Sequence, residues 1–257
     1  MIPISSRDNP QVKAWRRLAQ DSTSYRKAGQ FWLEGDHLCH AALARGVHPQ
    51  QVVLTESLWS EQGPQWDGLT EQVFVVPDAL FAGLSGLESP ARIGFVVAWQ
   101  AHKQVLPDAS TVVLDRLQDA GNVGAILRCA SAFGYRQVLA VKGTAALWSS
   151  KVLRAGMGAH FGLQLIESVD DVDVASLQVP ILTTSSHQGP FLHTLQKAGD
   201  LHPKCAWVFG HEGQGVSSGL MALAHHQVRI AQPGGEESLN VATAAAICLH
   251  ASATALP

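Results

Sequence analysis

The chain has 257 residues, 46% hydrophobic and 15% charged, which suits one large domain or two small ones, each with its own core. Eighteen Lys and Arg against 21 Asp and Glu leave a formal charge of −3, so any contact with a polyanion has to come from local patches. The four cysteines (Cys39, Cys129, Cys205, Cys248) form no C-x-x-C, which excludes a zinc ribbon or a redox pair and fits a reducing cytoplasm. The amino terminus lacks a signal-peptide apolar core, and the longest apolar run, near "VATAAAICLHA", is too short to cross a bilayer, so a soluble cytoplasmic protein is expected.

In chain order, the first thirty residues set six cations (Arg7, Lys13, Arg16, Arg17, Arg26, Lys27) against Asp8 and Asp21, with Trp15 and Tyr25 interleaved. Such a stripe is either a phosphate-contacting surface or a solvated amphipathic helix. A helix over about Pro10–Ala19 precedes the strand "FWLEG", the helix "DHLCHAALARG" closed by Gly46, and the strand "QVVLT". "QVFVV", a helix after Pro77 and "RIGFVVAW" continue the alternation, which predicts an α/β layer. "QAHKQVLPDAS", polar and containing Pro107, reads as a linker, placed at 101–110 between domains at 1–100 and 111–257.

After it the pattern restarts with the strand "TVVLD" and an amphipathic helix in "DAGNVGAILRCASAFGY", with Asn122 at the N-cap position and Gly134 at the C-terminal cap. Strand "QVLAV", a helix around Lys151–Met157, apolar "FGLQLIES", and strands "VPILTTS" and "CAWVFG" follow. A helix after Ser217–Ser218, strand "QVRIA" and an Ala-rich helix from about Asn240 complete the chain. The small residues of that last helix predict that it threads a crowded centre.

Three segments of the second half end a strand in a loop rich in Gly and polar residues: "LDRLQDAGNVGAILR", "WVFGHEGQGVSSG" and "VRIAQPGGEESLNVATAAA". Open α/β sheets bind ligands at such loops, where missing side chains let a ligand reach the backbone. Gly210, Gly213, Gly215 and Gly219 do not form G-x-G-x-x-G, and no P-loop Lys follows them. Glu212 is either a carboxylate presented by a tight loop or a solvated turn residue. Ser238 and Asn240 stand at a helix start, where capping alone would explain them. Glu236 and Glu237 either hold a polar cofactor end or are solvated.

Arg128 reaches back along its helix over Gly124 and Ala125 toward Asn122. A cation is poorly placed near helix amides unless it shares an anion with them. A structural ion pair to a distant carboxylate is the competing account. "DHLCH" offers Asp36, His37 and His40 to a metal, but Leu38 and Cys39 look like core positions and the ligand set is incomplete.

At "NVGAILRCASAFG", "VFGHEGQGVS" and "IAQPGGEESLNVATAAAI" the chain resembles the SpoU (TrmH-like) family of RNA 2'-O-ribose methyltransferases, of the SPOUT class. The amino-terminal "NPQVKAWRRL", "YRKAGQFWLEGDHL" and "RIGFVV" resemble the family's accessory RNA-binding domain more loosely. The resemblance implies an α/β fold with a trefoil-knotted carboxyl-terminal domain, otherwise a near-absent topology, and a smaller L30e-like amino-terminal domain. It implies S-adenosylmethionine as cofactor, no metal, a homodimer with the site near its interface, and an RNA substrate, ribosomal RNA ahead of transfer RNA. By position, Gly210, Ile230 and Leu239 would hold the cofactor, with Thr184 or Ser185 also possible, and Arg128, Asn122, Glu212, Ser238 and Asn240 would carry the chemistry. A non-catalytic RNA-binding protein on the same scaffold and a nicotinamide-dependent oxidoreductase are the rivals; the absent G-x-G-x-x-G opposes the second.

Overall fold

The computed structural model describes residues 1–85, 89–234 and 238–255. Chain contacts divide it into two units, Met1–Ala101 with Trp148–Phe161, and His102–Leu147 with Gly162–Pro257. The return of residues 148–161 to the first unit is something that a division into consecutive segments cannot express.

The first unit runs β1 (Ile2–Pro3), α1 (Pro10–Gln20), α2 (Ser24–Ala28), β2 (Gln30–Glu34), α3 (Asp36–Ala44), β3 (Gln51–Thr55), α4 (Glu56–Trp66), β4 (Val73–Val76), α5 (Asp78–Ala82) and β5 (Ile93–Ala98). Its sheet has the order β1-β4-β3-β5-β2, parallel except where β5 joins β3 and β2. Asn9 starts α1 by accepting from the Gln11 amide, with Pro10 in the first turn where no amide partner is lost. Val12, Trp15 and Leu18 form the buried face of α1, and the Trp15 indole donates to Gln51 Oε1 at 2.7 Å. That leaves Lys13, Arg16 and Arg17 beside one shallow depression with Gln20 and Asp21. Asp36 meets His40 at 3.5 Å, His40 packs on Trp66, and Cys39 is buried. Among the described residues no group of three His, Cys, Asp or Glu is arranged to hold a metal. None of the described helices is long and apolar enough to cross a membrane.

The chain continues through β6 (Thr111–Asp115), α6 (Ala120–Ala132), β7 (Gln137–Val141), α7 (Ser150–Gly156, in the first unit), β8 (Gln164–Val169), α8 (Asp171–Ala175), β9 (Ile181–Thr184), α9 (Leu192–Ala198), β10 (Ala206–Gly210), α10 (Ser218–Ala222), β11 (His226–Val228) and α11 (Val241–Ala253). The second unit's sheet is parallel throughout, in the order β11-β9-β10-β6-β7-β8. β6 and β10 are buried along their whole length, as continuous apolar runs in a parallel sheet should be. Residues 102–110 carry no helix or strand, yet Gln137 ties them to this unit by accepting from the Leu106 amide (3.0 Å) and donating to its carbonyl (2.8 Å).

The chain proceeds from β6 outward to β7 and β8, then returns to the other side at β9 and β10. The switch point therefore lies between β6 and β10, where Gly210 is paired with Asp115 and the loops after both strands leave side by side. α11 departs from expectation. It buries Ala245, Cys248 and Leu249 against neighbours that include α6 and β10, but Thr243, Ile247 and His250 stay exposed. Its alanines allow close approach on one side without requiring it on all.

Candidate active site

The helix that carries the first motif starts earlier than expected. Asp119, not Asn122, is its N-cap, and the Asp119 carboxylate accepts from the Asn122 amide at 2.7 Å. Either residue type caps well, so composition alone does not choose between them. The outcome matters because it frees the Asn122 side chain. At the other end Gly134 (φ 80°) takes the left-handed position after Phe133.

The freed amide connects the three motifs. Asn122 Nδ2 donates to Glu212 Oε1 at 3.3 Å, and Asn122 Oδ1 accepts from Asn240 Nδ2 at 3.0 Å. Asn240 caps α11 with its own oxygen, accepting from the Ala242 and Thr243 amides. Glu212 also accepts from the Asp119 and Gln118 amides, at 3.3 and 3.5 Å. Desolvation opposes the charge on Glu212, but the hydrogen bonds from backbone and from Asn122 together outweigh it and hold the carboxyl below its ordinary value.

A second device fixes the loop between β10 and α10. Asp115, fully buried at the end of β6, accepts from the Ser217 amide at 2.6 Å and from Arg116 Nε at 2.6 Å. Arg116 sits at φ 58°, a conformation disfavoured for a side chain of its size, and donates to Gln214 Oε1 (2.9 Å) and the Gly215 carbonyl (3.4 Å). Arg116 and Asp115 thus clasp the carboxyl-terminal half of the loop that presents Glu212. Gly215 (φ 69°) closes its turn, with its amide donating to the His211 carbonyl at 2.8 Å.

Beside this loop lies a cavity of about 340 Å³, within the range of small-molecule sites, roughly 300–1,000 Å³. Gly210, Ile230, Leu239, Thr184 and Ser185 all line it, together with Glu212, Ser238 and Asn240. Ser185 Oγ is already engaged by the His187 and Gln188 amides, and Thr184 Oγ1 donates to the Val208 carbonyl at 3.4 Å. Asn122 stands one hydrogen bond behind the wall, through Asn240.

Arg128 is not among the lining residues. It is exposed, and among the described residues it has no hydrogen bond or ion pair; its charge is felt at Cys129, where burial raises the thiol and Arg128 opposes that rise. Glu236 and Glu237 lie outside the described residues. His211, Val216, Val228, Gln232 and Ala244 also line the cavity and went unread in the sequence, as did the Asp115–Arg116 clasp. Val228 and Gln232, two residues either side of Ile230, were the accessible signal.

These three loops are what decide kinship. The model of the SpoU rRNA methylase family matches residues 109–250, more than half of the chain and all three motifs. The chain belongs to the SpoU rRNA methylase family. A second model, of the MRM3-like substrate binding domain, matches residues 9–94. Among its relatives, an uncharacterized tRNA/rRNA methyltransferase of Synechocystis is 32% identical over 96% of this chain and 92% of its own. The 23S rRNA (guanosine(2553)-2'-O)-methyltransferase RlmP of Bacillus subtilis is 27% identical over 97% of this chain and 98% of its own. A solved RNA 2'-O ribose methyltransferase superposes with a TM-score of 0.78 at 28% identity, covering 98% of both chains. This SpoU member therefore shares fold and domain plan with its relatives along nearly its whole length.

Proposed function

We propose that the chain transfers a methyl group from S-adenosylmethionine to a ribose 2'-hydroxyl of ribosomal RNA. The observation that carries this is the meeting of the second and third motif loops around one cavity at the switch point of a parallel sheet, with the first motif bonded to both through Asn122. The residues present fit the cofactor. Gly210 and Leu239 line the cavity, where a glycine leaves no side chain in the way of a ligand, and Val228, Ile230 and Ala244 offer apolar surface to a heterocycle. A buried side-chain oxygen in the wall, that of Gln232, lacks a partner among the described residues.

When bound, the cofactor supplies a methyl carbon activated by its sulfonium, so alignment accounts for much of the acceleration. The chain's own residues then have three tasks. Gly210 and Leu239 hold the cofactor by their backbone. Asn240, Asn122 and Glu212 fix the loop geometry, and Ser238, which lines the cavity and has no hydrogen-bond partner among the described residues, orients the incoming ribose. Arg128 clamps a neighbouring phosphate and meets the negative charge that grows on the 2'-oxygen. A guanidinium stays protonated in proteins, so it does not act as the base. Glu212, held ionised by its hydrogen bonds, is a weak acceptor; a water or phosphate oxygen takes the proton.

Ribosomal RNA is favoured because the matched family is that of rRNA methylases and the Bacillus relative is named for 23S rRNA. The carboxyl-terminal domain (111–257) carries the catalytic site and its trefoil knot, and an L30e-like amino-terminal domain (1–100) contacts RNA through the basic face of α1. Two copies pair with the site near the interface, consistent with exposed Leu239 and Ile247. Four free cysteines suit the reducing cytoplasm. A thermal shift tests the cofactor class, since a ligand that binds only the native state raises stability. S-adenosylhomocysteine should raise the melting temperature and NAD should not; the reverse result would return the chain to the oxidoreductase class.

A further inference from the structure

Lys13, Arg16 and Arg17 stand at i, i+3 and i+4 of α1, so they share one side of the helix, where like charges repel. Arg16 and Arg17 have no ion pair among the described residues, and the Lys13–Asp8 bridge (3.3 Å) is exposed at both ends and worth little. Asp21, in the lining of the α1 depression, accepts instead from the Thr23 amide at 2.9 Å and the Thr23 hydroxyl at 3.1 Å. α7 belongs to the same unit, although the chain reaches it from β7 and leaves it toward β8. Its inner side buries Val152, Leu153 and Gly156, and Trp148, just before it, packs on Phe31 of β2 at 4.7 Å. Lys151, exposed, and Arg154, half-buried, stand three positions apart on the helix. Neither side chain has a hydrogen bond or ion pair among the described residues. Ser150 Oγ donates to the Ala19 carbonyl at 2.9 Å and the Leu18 carbonyl at 3.5 Å, in the last turn of α1. Lys151 follows Ser150 as Gln20 follows Ala19, which holds the Lys151 and Gln20 Cα atoms within about 12 Å. Gln20 lines the depression, so the two groups of cations adjoin.

We propose that α7 is the second half of an RNA-binding surface begun by α1, Lys151 and Arg154 taking phosphates of the strand that Lys13, Arg16 and Arg17 engage. This rests on the ribosomal-RNA reading above. The match to a substrate binding domain ends at residue 94, so α7 lies outside it, within the stretch matched by the methylase model. Repelling cations on two adjoining helices cost stability until a polyanion arrives to share them. A nucleic-acid backbone offers a run of such charges and releases counterions on binding. Arg16, Arg17 and Arg154 carry guanidinium forks that match phosphate oxygens. The depression is lined by Lys13, Arg16, Arg17, Gln20 and Asp21, with no aromatic or aliphatic anchor of the sort that a protein partner docks on. The grip on the substrate is therefore drawn from two distant parts of the sequence, one of them a detour from the catalytic sheet.

Filter binding of ribosomal RNA to the full chain over a range of salt concentrations tests this. For the wild-type chain, log K against log salt should have a slope of about −4, as expected when five cations meet phosphates. A slope shallower than about −2 would overturn the proposal without any variant. The double variant Lys151→Gln, Arg154→Gln removes two charges. Its affinity near 0.1 M salt should fall about tenfold, and its slope should be shallower by about 1.5. Wild-type affinity and slope in that variant, with both reduced in Arg16→Gln, Arg17→Gln, would confine the surface to α1 and overturn the proposal. The exchange Lys151→Arg, Arg154→Lys keeps the charge and should keep the wild-type slope. A slope as shallow there as in the glutamine pair would show that packing, not charge, is at work, and would overturn it too. S-adenosylhomocysteine affinity, read by calorimetry, should be the same in every variant, which controls for folding. A wild-type chain that binds S-adenosylhomocysteine but no ribosomal RNA would remove the substrate reading and this proposal with it.

Discussion

Arg128 is charged and exposed on a helix face otherwise built from Gly124, Ala125 and Ser131. No described residue pairs with it, so its guanidinium is available to a phosphate without first breaking a bridge. Arg128→Ala should therefore abolish methyl transfer while leaving S-adenosylhomocysteine affinity within about twofold in calorimetry, since an interaction made only in the transition state leaves ground-state binding alone. Full turnover by that variant would remove the assignment. Glu212 makes a different prediction. Its carboxyl is held below the ordinary value by the amides around it, so its contribution to stability is complete above about pH 4.3, the unfolded value, and fades as pH falls through the lower folded value. Glu212→Gln should melt below wild type at pH 7, and the gap should narrow below about pH 4. A gap that stays constant down to pH 3 would mean that the ionised form is not what the loop uses.

At the scale of elements, β10 ends at Gly210, where an added Cβ would run into the backbone of Gly215 and Val216. Neither can rotate away as a side chain could, and the Asp115–Arg116 clasp holds that loop in place. Gly210→Ala should destabilise the chain by about 1–3 kcal/mol through overpacking and weaken S-adenosylhomocysteine binding more than tenfold, read by denaturant titration and calorimetry. Wild-type affinity would show that the loop is softer than described. The same elements show what the sequence could disclose. "QVVLT", "TVVLD" and "QVLAV" are β3, β6 and β7 residue for residue, because buried apolar runs bounded by turn residues are a local signal. α4 went unread because Gly63 and Pro64 stand inside it, and its start depends on Thr55 accepting from the Leu58 amide. α8 is five residues long and owes its start to the Asp170–Asp173 capping box. Such short helices owe their existence to caps and packing, not to a period. The motif loops were legible as glycine-rich strand ends. The Asp115–Arg116 clasp was not, since it joins residues about a hundred positions apart in the chain.

At the scale of the whole molecule, a chain of net charge −3 that acts on RNA has to concentrate its cations. It does so in the first unit, where Arg16 borders two separate depressions, one with Lys13 and Arg17 and one with Arg7. The second unit holds the cavity and the hydrogen-bonded network of Asn122, Glu212 and Asn240 behind it. This division of labour follows the two family models, which match residues 9–94 and 109–250. The decisive measurement is ribose-methylation mapping by resistance to alkaline cleavage. The purified chain is incubated with S-adenosylmethionine and ribosomal RNA from cells that lack its gene. One newly protected ribose is the expected result; methyl groups found on a base, or no methyl transfer to ribosomal RNA at all, would contradict it.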